Sequence, residues 1–166
     1  MEIRLYPDPI LRKKAEPILN FDSELENTIR KMDEIMLQSD GAGLAGPQVG
    51  LSQQIFLANA GQELKVFINP KITRFSKEKI TFNEGCLSFP GIFLDIERPK
   101  KIEIEFLDKQ GKRKKIKADN LLSRIIQHEY DHLQGVLFID RISLDEKLRV
   151  RNQLMKLEKS KQNTEI

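Results

Sequence analysis

The spacing of apolar positions along the chain resolves it into three helical segments and a block of strands. Leu25, Ile29, Met32 and Met36 recur at intervals of three and four, which places them on one face of a helix over about 23–39. Ser23 with Glu26 has the capping-box pattern at its start, and Asp40-Gly41 stops it. A second helix is predicted over about 120–134, ending at Gly135. A third starts at Ser143, with Glu146 completing another capping box, and continues to about Lys159. Between the first two helices, Ile55–Ala58, Val66–Ile68 and Ile102–Phe106 read as short strands, punctuated by Asn69-Pro70 and Arg98-Pro99. Strands in one block with helices around them predict an α+β fold rather than alternating βαβ units.

Composition narrows the class. The 166 residues fit one domain, 1–166, with 143–160 as an amphipathic C-terminal helix and 161–166 as a disordered tail. Hydrophobic residues at 39% and charged residues at 32% are a globular balance. No apolar run approaches the roughly 18 residues of a membrane span. The start, Met1 to Pro9, lacks a basic stretch followed by an apolar one, so no signal peptide is expected and a cytoplasmic setting is. The 28 basic and 25 acidic residues nearly balance, which does not point to nucleic acid. The basic run Lys112–Lys117 follows a turn signal, Asp108 to Gly111, and is expected on a solvated strand or hairpin. From Arg141 to Lys161 seven basic residues face three acidic ones, with Leu144, Leu148 and Met155 as the expected packing side of the last helix.

The chemistry-bearing residues are few. One cysteine excludes an internal disulfide, and with two histidines it caps any Cys/His metal site at three such ligands. Both histidines fall in His128-Glu129-Tyr130-Asp131-His132. Residues four apart share a helix face, so His128 and His132 can hold one ion while Glu129 reaches a water as general base. Leu121 and Ile125 continue the histidine stripe, which turns these polar groups toward the apolar side. Burying them without partners would cost about 1–3 kcal/mol per group, and a metal ion removes that cost. A solvent-facing or locally satisfied histidine pair is the bland alternative.

For a third ligand, the position six residues past His132 is Phe138, and Glu146 and Glu158 lie in the charged last helix without a supporting signature. Cys86, after a strand-like run, is the better candidate. A buried structural cysteine or a Cys–His nucleophile are its other readings. The His₂Cys reading alone gives every one of these side chains a task.

Three motifs together resemble those of the peptide deformylase family. They are Gly41-Ala42-Gly43-Leu44-Ala45-Gly46-Pro47-Gln48, Glu84-Gly85-Cys86-Leu87-Ser88 and His128-Glu129-Tyr130-Asp131-His132, and Pro7 to Arg12 is similar to the family's opening segment. Gly46 departs from the second alanine usual there, removing a methyl group and loosening the loop that bears Gln48. The resemblance implies mostly antiparallel sheets packed around a central helix with the His-Glu-x-x-His motif, plus the C-terminal helix. It implies removal of the formyl group from N-formyl-methionyl nascent peptides. Cys86, His128 and His132 would hold the metal, Glu129 would move the proton, and Gln48 with the Leu87 N–H would stabilise the oxyanion. Ala42, Gly43, Gly85, Glu84, Arg98, Leu121, Ile125 and Phe82 are its substrate-side positions, with Glu84 and Arg98 as an ion pair. It implies one Fe²⁺ per chain, replaceable by Zn²⁺, Ni²⁺ or Co²⁺. Docking on the ribosome through the basic last helix is a further expectation, with no membrane and no specific nucleic-acid sequence as partner. Two other functions compete: a His-Glu-x-x-His metallopeptidase cleaving internal bonds, and a metal-stabilised binding domain.

Overall fold

The structure is a computed structural model and describes residues 1–61 and 63–162. Its elements run α1 (Ser23–Gln38), β1 (Gly43–Ala45), β2 (Ile55–Ala58), β3 (Lys65–Phe75), β4 (Lys79–Gly85), β5 (Phe93–Pro99), β6 (Lys101–Leu107), β7 (Arg113–Asp119), α2 (Asn120–Leu133) and α3 (Leu144–Gln162). Short 3₁₀ turns occupy Pro9–Arg12, Gly46–Val49 and Phe138–Asp140. This is the expected α+β arrangement, with every strand pairing between elements antiparallel.

Five strands form one sheet in the order β1-β2-β3-β6-β7, and β4-β5 form a separate hairpin. Alternation sets the register. Ile104 pairs with Ile72 and Ile116, and Ile102 with Ala118, so one face is apolar. On the other face Glu103 meets Lys117 and Glu105 meets Lys115 across β6-β7. The basic run 112–117 therefore does lie on a hairpin, its lysines countered by cross-strand carboxylates. Phe56 and Phe67 stack at 4.6 Å in the core between this sheet and α2. The apolar stripe of α1 (Leu25, Ile29, Met32, Met36) is buried against Leu44, Ile55, Leu57 and Ile68.

Several local expectations change. Asp22, not Ser23, caps α1: its carboxylate accepts from the Glu24 and Leu25 amides at 3.1 Å. The Ser143/Glu146 capping box does form at the start of α3. Asn69-Pro70 does not end a strand. β3 runs through it at a register shift, and the Asn69 side chain bonds both the amide and the carbonyl of Ile18. Arg98-Pro99 likewise belongs to β5. On α3, Leu144, Leu148 and Met155 are exposed, and Val150, Leu154 and Leu157 make the packing side instead. Tyr6 fastens that helix by donating to Glu158 Oε1 at 3.0 Å. The backbone of α3 continues to Gln162, beyond its expected end, and the rest of the tail expected over 161–166 lies outside the described residues. Among the described residues, no helix is long and apolar enough to cross a membrane.

Candidate active site

α2 is buried over most of its length and packs against β1, β2, β5, β6 and β7. His128 and His132, four residues apart, therefore project from one face of a helix fixed on several sides. Cys86 comes from a different element, the turn directly after β4. The ligand-type atoms of Cys86, His128 and His132 all lie within 4.8 Å of one another. Cys86 Sγ is 3.3 Å from His132 Nε2. His128 Nδ1 is 2.9 Å from Glu84 Oε2, which leaves Nε2 as the ring nitrogen for Cys86 and the ligand triangle.

The donor set fits a metal ion. A thiol and two imidazoles are zinc- and iron-type ligands, and three protein ligands leave an open position. Burial, the largest cause, lowers the His132 pKa well below normal, which favours the neutral form a ligand needs. The Glu146 and Glu158 carboxylates are occupied elsewhere, by Ser143 and Tyr6 respectively.

Glu129 is buried, and its Oε2 has no hydrogen-bond partner. Burial pushes its pKa up to about 7. A carboxyl group of that strength can take and return a proton near neutral pH. Gln48 sits on the 3₁₀ turn after β1. Its Oε1 accepts from the Ala45 amide at 2.8 Å, which fixes the amide group and turns Nε2 toward Ser88 Oγ (3.4 Å) and Cys86 Sγ (3.5 Å).

A cavity of about 440 Å³ opens onto this cluster. Its walls include Ala42, Gly43, Gln48, Phe82, Glu84, Gly85, Cys86, Leu87, Leu121, Ile125, His128 and Glu129. The sequence-designated positions thus converge, with two exceptions at the cavity itself. His132 lies behind the cavity wall, in the ligand triangle. Arg98 is buried behind Glu84 and does not line the cavity. Leu121 and Phe82 are about half exposed and stand at the rim, whereas Ile125 is buried. A Cβ on Gly46 would come within 2.7 Å of the Gln53 carbonyl oxygen, so the missing methyl makes room for neighbouring backbone.

Behind the site lies an ionic cluster whose extent spacing did not reveal. Arg98 binds Glu84 through Nε (2.7 Å) and Nη2 (3.0 Å) and Asp131 through Nη1 (2.7 Å). Arg124 adds a 2.7 Å bond to Glu84, and Arg141 reaches Asp131 from the segment before α3. Burial raises the Glu84 pKa, but hydrogen bonds from His128 and Arg98 outweigh it and hold the carboxyl at about 2. Breaking such a buried pair by removing one partner costs about 3–5 kcal/mol, because the other charge is left uncompensated. The one sequence cue to Arg124 is its position four residues before His128, on the same helix face.

Comparison with known proteins agrees with this geometry. A family model described as polypeptide deformylase matches residues 1–148. A peptide deformylase of Thermotoga petrophila is 46% identical over 153 residues, covering 92% of this chain and 93% of the relative. The crystal structure of Arabidopsis thaliana peptide deformylase 1B in complex with an inhibitor superposes with a TM-score of 0.94 at 43% identity, covering 99% of this chain and 93% of that one. A Plasmodium falciparum peptide deformylase superposes equally well, at 0.94 and 43%, with 98% of each chain covered. Ligand triangle, buried carboxyl and end-to-end likeness lead to one assignment: the chain belongs to the polypeptide deformylase family, metal-dependent hydrolases that remove the N-formyl group from newly made peptides.

Proposed function

We propose that this chain hydrolyses the formamide of an N-terminal formyl-methionine, releasing formate and a free amino terminus, through the residues around the Cys86–His128–His132 triangle. The observation that carries the reading is Glu129. A buried carboxyl with a pKa of about 7 and an unpartnered oxygen stands beside three converging metal-ligand atoms at the wall of a cavity. In this reading Cys86, His128 and His132 hold one divalent ion. When bound, such an ion supplies Lewis acidity and a water of lowered pKa. Glu129 takes the proton of the attacking water and delivers it to the departing amine. Gln48 Nε2, already aimed at Cys86, and the Leu87 N–H donate to the carbonyl oxygen as it gains negative charge.

Substrate backbone would lie along β1, an edge strand of the five-stranded sheet, as an added strand at Ala42 and Gly43. Gly85, across the cavity, gives close approach, and Ile125 with Phe82 and Leu121 at the rim would receive the methionine side chain. Glu84 with Arg98 acts behind this surface, orienting His128. We assign Fe²⁺ as the working ion, one per chain, with Zn²⁺, Ni²⁺ and Co²⁺ as substitutes. One thiolate with two imidazoles suits all four, and the family resemblance favours iron. A lone cysteine that must stay reduced to serve as ligand supports a cytoplasmic setting.

The test is reconstitution of metal-free protein, without oxygen, with Fe²⁺ or Zn²⁺ and formyl-methionyl peptide. Formate and intact deformylated peptide should appear, faster with Fe²⁺, and the unformylated peptide should be untouched. Internal cleavage would establish a peptidase, and activity with Zn²⁺ but none with Fe²⁺ would refute the iron assignment.

The exposed stripe Leu144, Leu148 and Met155 among basic residues of α3 supports docking on the ribosome. Leu148→Asp with Arg151→Glu should then weaken co-sedimentation with ribosomes while peptide turnover is kept. Equal co-sedimentation would rule docking out.

A further inference from the structure

The three ligand-type residues hang on two separate elements. His128 and His132 belong to α2, and Cys86 follows β4 of the β4-β5 hairpin. That hairpin shares no strand pairing with the five-stranded sheet among the described residues. Side chains join it to α2 at His128–Glu84, Asp131–Arg98, Gln127–Pro99 and Arg124, and Arg124 is the one among these that reaches both of its strands. Arg124, 5% exposed on α2, donates from Nη2 to the Ile80 carbonyl of β4 at 2.5 Å. From Nη1 it donates to the Ile96 carbonyl of β5 at 2.8 Å and to Glu84 Oε1 at 2.7 Å.

Glu84 receives four hydrogen bonds in all: two from Arg98, one from Arg124 and one from His128 Nδ1. With two guanidinium groups on one carboxylate, Glu84 can only accept. His128 must then present Nδ1–H to it and turn the Nε2 lone pair to the ligand triangle. Arg98 alone cannot do the same work. It too joins the hairpin to α2, but from β5 and at Asp131, seven residues along the helix from Arg124.

From these contacts we infer that Arg124 is a positioning residue for the reaction: it fixes the Cys86-bearing hairpin on the His-bearing helix and completes the grip on Glu84 that orients His128. The inference rests on the reading of Cys86, His128 and His132 as a metal site. It assigns Arg124 no contact with the reacting atoms. Outer partners of metal ligands typically set metal affinity by about 10–100-fold.

Arg124→Met, which keeps stem length without the donors, tests it. Co²⁺ affinity of the metal-free protein is measured by competition with a chelator, together with the visible spectrum of the Co²⁺-loaded form and the thermal midpoint with and without metal. The expected result is affinity weakened about 10–100-fold, an altered spectrum and a smaller stabilisation by metal. Arg124→Lys, which keeps the charge but cannot span three acceptors, should fall between wild type and Arg124→Met, and it carries the test alone if the Met variant does not fold. Unchanged affinity and spectrum with only a lower midpoint would overturn the inference, leaving Arg124 a structural staple. Failure of wild type to bind one Co²⁺ per chain would overturn the metal-site reading as well.

Discussion

At Gly43 the backbone of β1 comes so near α2 that an added Cβ would overlap the Glu129 carboxyl group. Glycine there is a condition for the position of Glu129, the proposed general base, whatever else it does for a substrate. Gly43→Ala must move either β1 or Glu129. Because small misplacements of catalytic groups can cost about 10²-fold in rate, we expect a loss of that order in kcat with metal content unchanged. Metal analysis beside steady-state kinetics checks it, and unaltered kcat would show that Glu129 tolerates displacement. At this scale the sequence was most legible where chemistry follows helical spacing. His128, Glu129 and His132 could be placed on one face from their numbers alone. Arg98 pairs with Glu84 across 14 positions and Arg124 with Glu84 across 40, and no periodicity encodes such distances. The Glu84–Arg98 pair is implied by the family resemblance, and the structure forms it, with Arg98 buried and off the cavity wall.

Elements repeat this contrast. The 3.6-residue stripe located α1 and α2 to within a residue or two, since a buried face must keep its period. Caps were harder to read. Ser23 and Asp22 are neighbours with the same capacity, and the longer reach of the Asp22 carboxylate satisfies two amides at once. The packing side of α3 was misread because its apolar residues fall on two faces, and only the neighbouring cluster around Phe89 and Phe138 selects Val150, Leu154 and Leu157. The strand break expected at Asn69-Pro70 failed for a tertiary reason: Asn69 finds backbone partners at Ile18 that replace the interrupted ladder. The turn Phe138–Asp140 makes a prediction of its own. Asp140 accepts from the Leu137 amide at 2.9 Å and pairs with Arg12 of the first 3₁₀ turn. Burial raises its pKa, but Arg12 and the Leu137 amide outweigh that and lower it. A depressed folded-state pKa stabilises the protein above the unfolded value of about 3.9, and the contribution is lost as pH falls through the folded one. Asp140→Asn should therefore lower the thermal midpoint at pH 7 and converge on wild type in acid. A gap that stays constant from pH 7 into acid would contradict this linkage.

For the whole molecule, the sheet and the β4-β5 hairpin serve as two walls that meet at α2. The first wall brings β1 and Gln48, the second brings Glu84 and Cys86, and the helix brings His128, Glu129 and His132. The family match ends at residue 148, so it includes every one of these residues and only the start of α3. The central claim is that Glu129 moves the proton while Cys86, His128 and His132 hold the ion. The most direct measurement is formate release from a formyl-methionyl peptide by Glu129→Gln, with metal content determined on the same sample. The account predicts one metal per chain, as in wild type, and a rate reduced by about 10²-fold or more. A fully loaded variant that releases formate at the wild-type rate would contradict it.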